Sequence, residues 1–227
     1  MKNVSKDKKY TLMRSIIVIG VYLLYSFIFN SIARMFSKTD SVIISFIADV
    51  CFLVFALVMY KDKLASDISF YHKDYNAKKR ILMMAGWVII IFITNLIGGF
   101  AGLLIGNLSK TKNNIALFSL PYIYIFFKTL IFSSIAEEIV FKQSIKDVVD
   151  NNIIFIIVST IMYSTMNIAY TNLRGLELIA NMIPYALFAV VSSILYIKHK
   201  NNIYVVMIVK ILYNLIPLTI MILGGVG

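Results

Sequence analysis

Apolar runs of about twenty residues alternate with short polar clusters from one end of the chain to the other. A run of that length is what a helix needs to cross the hydrocarbon of a bilayer, where every backbone polar group must be satisfied within the helix. The pattern predicts about seven spans, with six to eight as bounds, over 12–34, 41–60, 81–107, 117–141, 152–171, 176–197 and 202–225. The expected fold is all-α, a polytopic transmembrane helical bundle. No internal repeat or low-complexity linker divides it, so 1–227 reads as a single membrane domain. The longest polar stretch, YKDKLASDISFYHKDYNAKKR at 60–80, joins the second and third spans. It reads as a solvated connection at the interface, with Leu64, Ile68 and Phe70 or Tyr71 towards lipid and the lysines towards anionic headgroups. Gly98, Gly99, Gly102 and Gly106 have the small-xxx-small spacing that lets a neighbouring helix come close. The first span has a basic start and ends in Ser31-Ile32-Ala33, as a cleaved signal peptide would. Tyr22, Tyr25 and Asn30 suit a retained helix, which is the reading adopted.

Composition agrees with the pattern: of 227 residues, 60% are hydrophobic and 15% charged, against roughly 25% charged in soluble domains. The formal net charge of +11 would suggest nucleic acid in a soluble protein. Here its distribution explains it better. With the amino terminus inside, Lys2, Lys6, Lys8, Lys9, Arg14, Lys61, Lys63, Lys73, Lys78, Lys79, Arg80, Lys142, Lys146, Lys198 and Lys200 fall on one side. Arg34, Lys38, Lys110, Lys112 and Arg174 fall on the other, and Lys128 and Lys210 lie within spans. That asymmetry is the positive-inside pattern, and it predicts a cytoplasmic amino terminus. The richness in Ile, Asn and Lys points to an AT-rich bacterial genome, hence to a bacterial plasma membrane. Cys51, the sole cysteine, lies in an apolar run, so no disulfide framework or CxxC metal site is expected.

An ionisable residue inside a span is expensive and marks a candidate site. Asp49 and Lys128 are isolated along the chain and read as a structural ion pair or an interfacial snorkel. Glu137, Glu138, Asn167, Lys210 and Asn214 differ, because their depths coincide. If the fourth helix runs to Asp150, Glu138 lies roughly 18 Å from its cytoplasmic end. Asn167 lies roughly 22 Å into the fifth span, and Lys210 and Asn214 roughly 12 and 18 Å into the seventh. One shared polar pocket accounts for all of them. Adjacent helical residues point about 100° apart, so one glutamate is expected to face the pocket and the other to bond a neighbour. The i,i+4 spacing of Glu138 and Lys142 makes them the expected pair, leaving Glu137 freer for chemistry.

The run Glu137-Glu138-Ile139-Val140-Phe141-Lys142, followed by Tyr163-Ser164-Thr165-Met166-Asn167 and Lys210-Ile211-Leu212-Tyr213-Asn214, resembles the CAAX protease and bacteriocin-processing (CPBP, or Abi) family over residues 115–220. The family pattern is Glu-Glu-x-x-x-Arg on one helix, Phe-x-x-x-His on the next and His-x-x-x-Asn on a later one. The resemblance implies an intramembrane protease fold in which a glutamate activates water while histidine and asparagine assist it and hold the oxyanion. Glu137, Glu138, Lys142, Asn167, Lys210 and Asn214 occupy the motif positions. Lysine stands for arginine at 142, asparagine for histidine at 167, and lysine for histidine at 210.

Those departures change the expected chemistry. His72 and His199, the chain's two histidines, both fall in basic segments and read as exposed loop residues. Asparagine cannot exchange protons near neutral pH, and a lysine reaching Glu137 makes that carboxylate a poorer base for water. Each lost imidazole removes around 10²–10⁴ in rate, not necessarily additively. The expectation is therefore a weak or inactive protease homologue that binds a hydrophobic or membrane-embedded peptide or protein, as regulator, immunity factor or envelope-assembly partner. The alternatives are an active glutamic-type endopeptidase for CAAX-like, leader or lipidated peptides, and a transporter, for which no inverted repeat is visible. Membrane lipids are expected partners; a cofactor, a metal and nucleic acid are not.

Overall fold

A computed structural model describes residues 2–33, 35–74, 76–105, 121–169, 171 and 173–223. Gly106, Arg34, Lys110 and Lys112, and the span ends at 106–107, 117–120 and 224–225, lie outside the described residues. The described residues form seven helical rods: α1 (Lys2–Ala33), α2 (Lys38–Asp74), α3 (Ala77–Ile105), α4 (residues 122–148), α5 (Asn152–Ile168), α6 (Gly175–Lys198) and α7 (Ile203–Leu223). Five of them are long and apolar enough to cross a membrane, and α5 is a shorter apolar helix. The protein is a multi-pass membrane helical bundle.

The central rod is α4. It starts as an ordinary helix over Tyr122–Phe126, widens into π-type turns over Phe127–Glu137 and Ile139–Ser144, and closes with Ile145–Val148. In the wide turns the hydrogen bonds reach five residues back, and π turns of this kind concentrate at functional sites. The hydroxyls of Ser134 and Ser144 follow the same spacing, donating to the carbonyls of Thr129 and Ile139 at 3.4 and 3.0 Å. From Ile139 to Ile145 every side chain is buried. Aromatic rings lock α4 to the first two helices: Tyr22 meets Phe141 edge-on at 5.3 Å and stands 5.3 Å from Phe52. On the other side α3 packs against α6, where Gly98 is buried beside Pro184. Gly99 faces open space, so the close approach is carried by one face of the glycine set.

The 60–80 stretch departs from expectation. It is not a solvated connection, because α2 continues unbroken to Asp74. Its 37 residues span about 55 Å, well beyond a hydrocarbon core of about 30 Å, so the helix runs on past the membrane. Tyr71 is buried against Tyr204, not turned to lipid, and Asp67 is buried too. Asp67 caps the last helix: its carboxylate accepts the backbone N–H of Ile203 at 2.9 Å, and its carbonyl accepts the amide of Asn202. His199 also departs from expectation, being 8% exposed, with Trp87 Nε1 donating to its Nε2 at 3.1 Å. His72 is exposed, on α2.

Several contacts gather the basic segments at one end of the bundle. Lys8 pairs with Asp150, Arg14 with Asp147, and Lys63 donates to the carbonyl of Asn201. Asn151 caps α5 by accepting the N–H groups of Ile153 and Ile154.

Candidate functional site

Polar side chains from five helices meet in a partly open cavity of about 490 Å³. Asn95 comes from α3, Lys128, Ser133 and Glu137 from α4, Tyr163 and Asn167 from α5, Tyr185 and Phe188 from α6, and Lys210, Tyr213 and Asn214 from α7. Of the six motif positions, Glu137, Asn167, Lys210 and Asn214 line the cavity, while Glu138 and Lys142 are fully buried beside it.

At its centre the Lys210 ammonium donates to Glu138 Oε1 at 2.7 Å and to Glu137 Oε2 at 3.2 Å. It also lies 4.9 Å from the Tyr163 ring and 5.3 Å from the Phe188 ring, where the π faces favour a cation. Both glutamates thus reach one ammonium, contrary to the divergence expected of adjacent helical residues. Glu138 sits at the junction of the two wide stretches of α4, where more residues per turn mean less rotation between neighbours, and Lys210 comes in across the gap from α7.

The expected Glu138–Lys142 pair does not form. Lys142 turns away and donates to Ser159 Oγ at 2.8 Å and to the Ala189 carbonyl at 3.3 Å. Ser159 in turn donates to the Phe141 carbonyl, and Ser193 donates to Ser159. Lys142 therefore lies inside the bundle and leaves the cytoplasmic count. One oxygen of Glu138, Oε2, is buried with no hydrogen-bond partner among the described residues.

The two asparagines are anchored through their amide nitrogens. Asn167 donates to the Tyr163 carbonyl at 2.9 Å, and Asn214 donates to the Thr129 carbonyl at 2.8 Å and to Ser134 Oγ at 3.2 Å. Higher in the cavity, Lys128 pairs with Asp49 at 2.7 Å, and Tyr124 donates to the same carboxylate at 3.1 Å. The structural pairing expected of these two isolated residues is present, and Lys128 also contributes to the lining.

Asn95, which donates to the Tyr213 hydroxyl at 2.5 Å, was missed in the sequence, although a lone amide in an apolar span is the same kind of signal as Asn167. Ser159 carried no such signal, since serines in spans commonly bond their own helix. Among the described residues no three His, Cys, Asp or Glu side chains are placed to hold a metal ion.

Chemically, the centre joins two carboxylates and one ammonium beside amides and ring faces. It can position and hydrogen-bond a polar group, and one oxygen of each carboxylate is already engaged by a cation. Neither the curated proteins nor the solved structures contain a significant match to the chain. Residues 118–216 match the family model described as type II CAAX prenyl endopeptidase Rce1-like, and this span contains all six motif positions. Over residues 118–216 the chain is therefore similar to the Rce1-like CAAX prenyl endopeptidase (CPBP) family.

Proposed function

We infer that this chain is a catalytically weak or inactive protease homologue that uses its cavity to bind a hydrophobic or membrane-embedded peptide. The observation that carries the reading is Lys210, whose ammonium bridges Glu137 and Glu138 where the family pattern has an imidazole. A carboxylate that activates water must accept a proton from it, and a cation hydrogen-bonded to one oxygen of each glutamate lowers their basicity for that step. Asn167 supplies a hydrogen-bonding group but no proton exchange. What remains suits binding. Lys128 is offset by Asp49, and Lys210 lies between two carboxylates with Lys142 behind them, so the six charges cancel. Neutral amide groups are then the recognition elements of the lining, and a polypeptide backbone is their natural complement. The setting is a bacterial plasma membrane with the amino terminus cytoplasmic, and the role is that of a regulator, immunity factor or envelope-assembly partner.

The test incubates purified protein with lipidated and leader-bearing peptides. Wild type is expected to bind without cleaving, and Asn167→His with Lys210→His is expected to gain cleavage that Glu137→Gln removes again. Cleavage by the wild type that vanishes in Glu137→Gln would overturn the reading in favour of an active endopeptidase.

A further inference from the structure

The cavity is closed at one end, and that end is the basic one. Distances along each helix place the lining. From the basic end, Lys210 lies about 10 Å along α7 and Phe188 about 15 Å along α6. Pro184 lies about 21 Å along α6, Asn167 about 22 Å along α5 and Asn95 about 27 Å along α3. On α4, Lys128 is nine residues further from that end than Glu137. The lining therefore starts at Lys210 and Phe188 and extends away from the basic face.

Beneath Lys210 the bundle is sealed. Lys142, Ser144, Ser159, Ser193 and Tyr196 are fully buried. Tyr196 donates to Gln143 at 2.7 Å, and Gln143 donates to Asp147, which also holds Arg14. This layer is hydrogen-bonded across α1, α4, α5 and α6, and passage through it would break several buried polar contacts at once.

We propose that the cavity takes its ligand from the end of the bundle opposite the basic one, so that the site faces the extracytoplasmic side of the membrane. The orientation follows from the positive-inside rule applied to the basic segments that the structure gathers at the closed end. The proposal rests on reading the cavity as a binding site, and it adds the side from which the ligand arrives. The ligand is then a peptide or the polar end of a membrane-embedded segment presented in the outer half of the bilayer, not a cytoplasmic chain.

The experiment is cysteine labelling of the full chain with a membrane-impermeant maleimide, in a Cys51→Ser background. Ser133→Cys and Asn167→Cys report on the cavity, and Lys78→Cys, exposed at the start of α3, reports on the basic end. In intact cells both cavity positions are expected to label severalfold above background while Lys78→Cys stays silent; inverted vesicles should reverse the pattern. Cavity positions that label in inverted vesicles only, or in neither preparation, would overturn the proposal, as would Lys78→Cys labelling from outside. Two cavity positions guard against one variant failing to fold. Added leader peptide that fails to protect Asn167→Cys would remove the binding reading while leaving the side of access standing.

Discussion

Asp147 and Glu138 stand nine residues apart on α4, both within the bundle, and their surroundings differ in one respect. Asp147 Oδ2 accepts from Arg14, Ser15 and Tyr60, and its Oδ1 accepts from Gln143, so both oxygens are filled from α1, α2 and its own helix. Glu138 has Lys210 on one oxygen and, among the described residues, nothing on the other. A buried acid with every acceptor satisfied rigidifies the elements around it. A buried acid with an acceptor left over keeps an unmet cost, and such groups collect where a ligand or proton is to be handled. On the proposed binding reading, the basic half of the molecule is its frame and the other half its working surface, although both are built from the same types of residue.

The comparison is broken most forcefully at Lys210. Lys210→Met leaves the buried Glu138 and the cavity-lining Glu137 without their cation, and the expected loss is about 3–5 kcal/mol of stability, read from thermal unfolding in detergent. Adding Glu137→Gln and Glu138→Gln to the same chain is expected to recover most of it, because the uncompensated charge is gone. No recovery would mean that Lys210 acts mainly through its packing against Tyr163 and Phe188. Asp147→Ala comes next, at about 1.5–3 kcal/mol for losing charge-assisted bonds to several donors. If Asp147 belongs to the frame alone, this variant lowers the melting temperature and leaves peptide binding in the cavity unchanged. A selective loss of binding would erase the distinction between the halves.

How much of this was legible in the sequence follows the same division. The helical bundle was, because each span must satisfy its own backbone in lipid and so writes its length in apolar residues. The cavity was too, since Glu137, Asn167, Lys210 and Asn214 are costly in a span and lie at matching depths. The partners were harder to read. Lys142 has an i,i+4 carboxylate on its own helix yet bonds Ser159 and the Ala189 carbonyl, a choice made by tertiary packing. The polarity of 60–74 cannot separate a loop from a helix that continues beyond the membrane, and only the packing of Tyr71 and Asp67 on α7 decides it. Likewise the wide turns of α4 leave no mark in local propensity, and they set where both glutamates point.

Gly98→Ala sharpens the comparison from the cavity wall. A Cβ there would stand 3.0 Å from the Pro184 backbone and 3.1 Å from Leu187, so α3 and α6 must part slightly. The expected cost is about 1–3 kcal/mol, with altered peptide binding because Pro184 lines the cavity. Gly99→Ala, which meets nothing within 4 Å, is expected to leave both unchanged.

The smallest effect belongs to the frame and depends on pH. His199 lies just past the end of α6, where Trp87 Nε1 donates to its Nε2, and protonation would remove that acceptor. Burial pushes the imidazole below its ordinary range, and the charge of neighbouring Lys198 adds to the shift. With the folded value below an unfolded value of about 6.5, the unfolded chain takes up the proton first. Stability is then full above the unfolded value and falls as pH drops through it towards the folded one. Detergent melts between about pH 7.5 and 5 should show this decline in the wild type and a flatter curve in His199→Gln, whose amide can still accept from Trp87. Equal slopes in the two proteins would show that the Trp87–His199 contact is indifferent to charge, and the frame would then lose a contact sensitive to mild acid while keeping the Asp147 network.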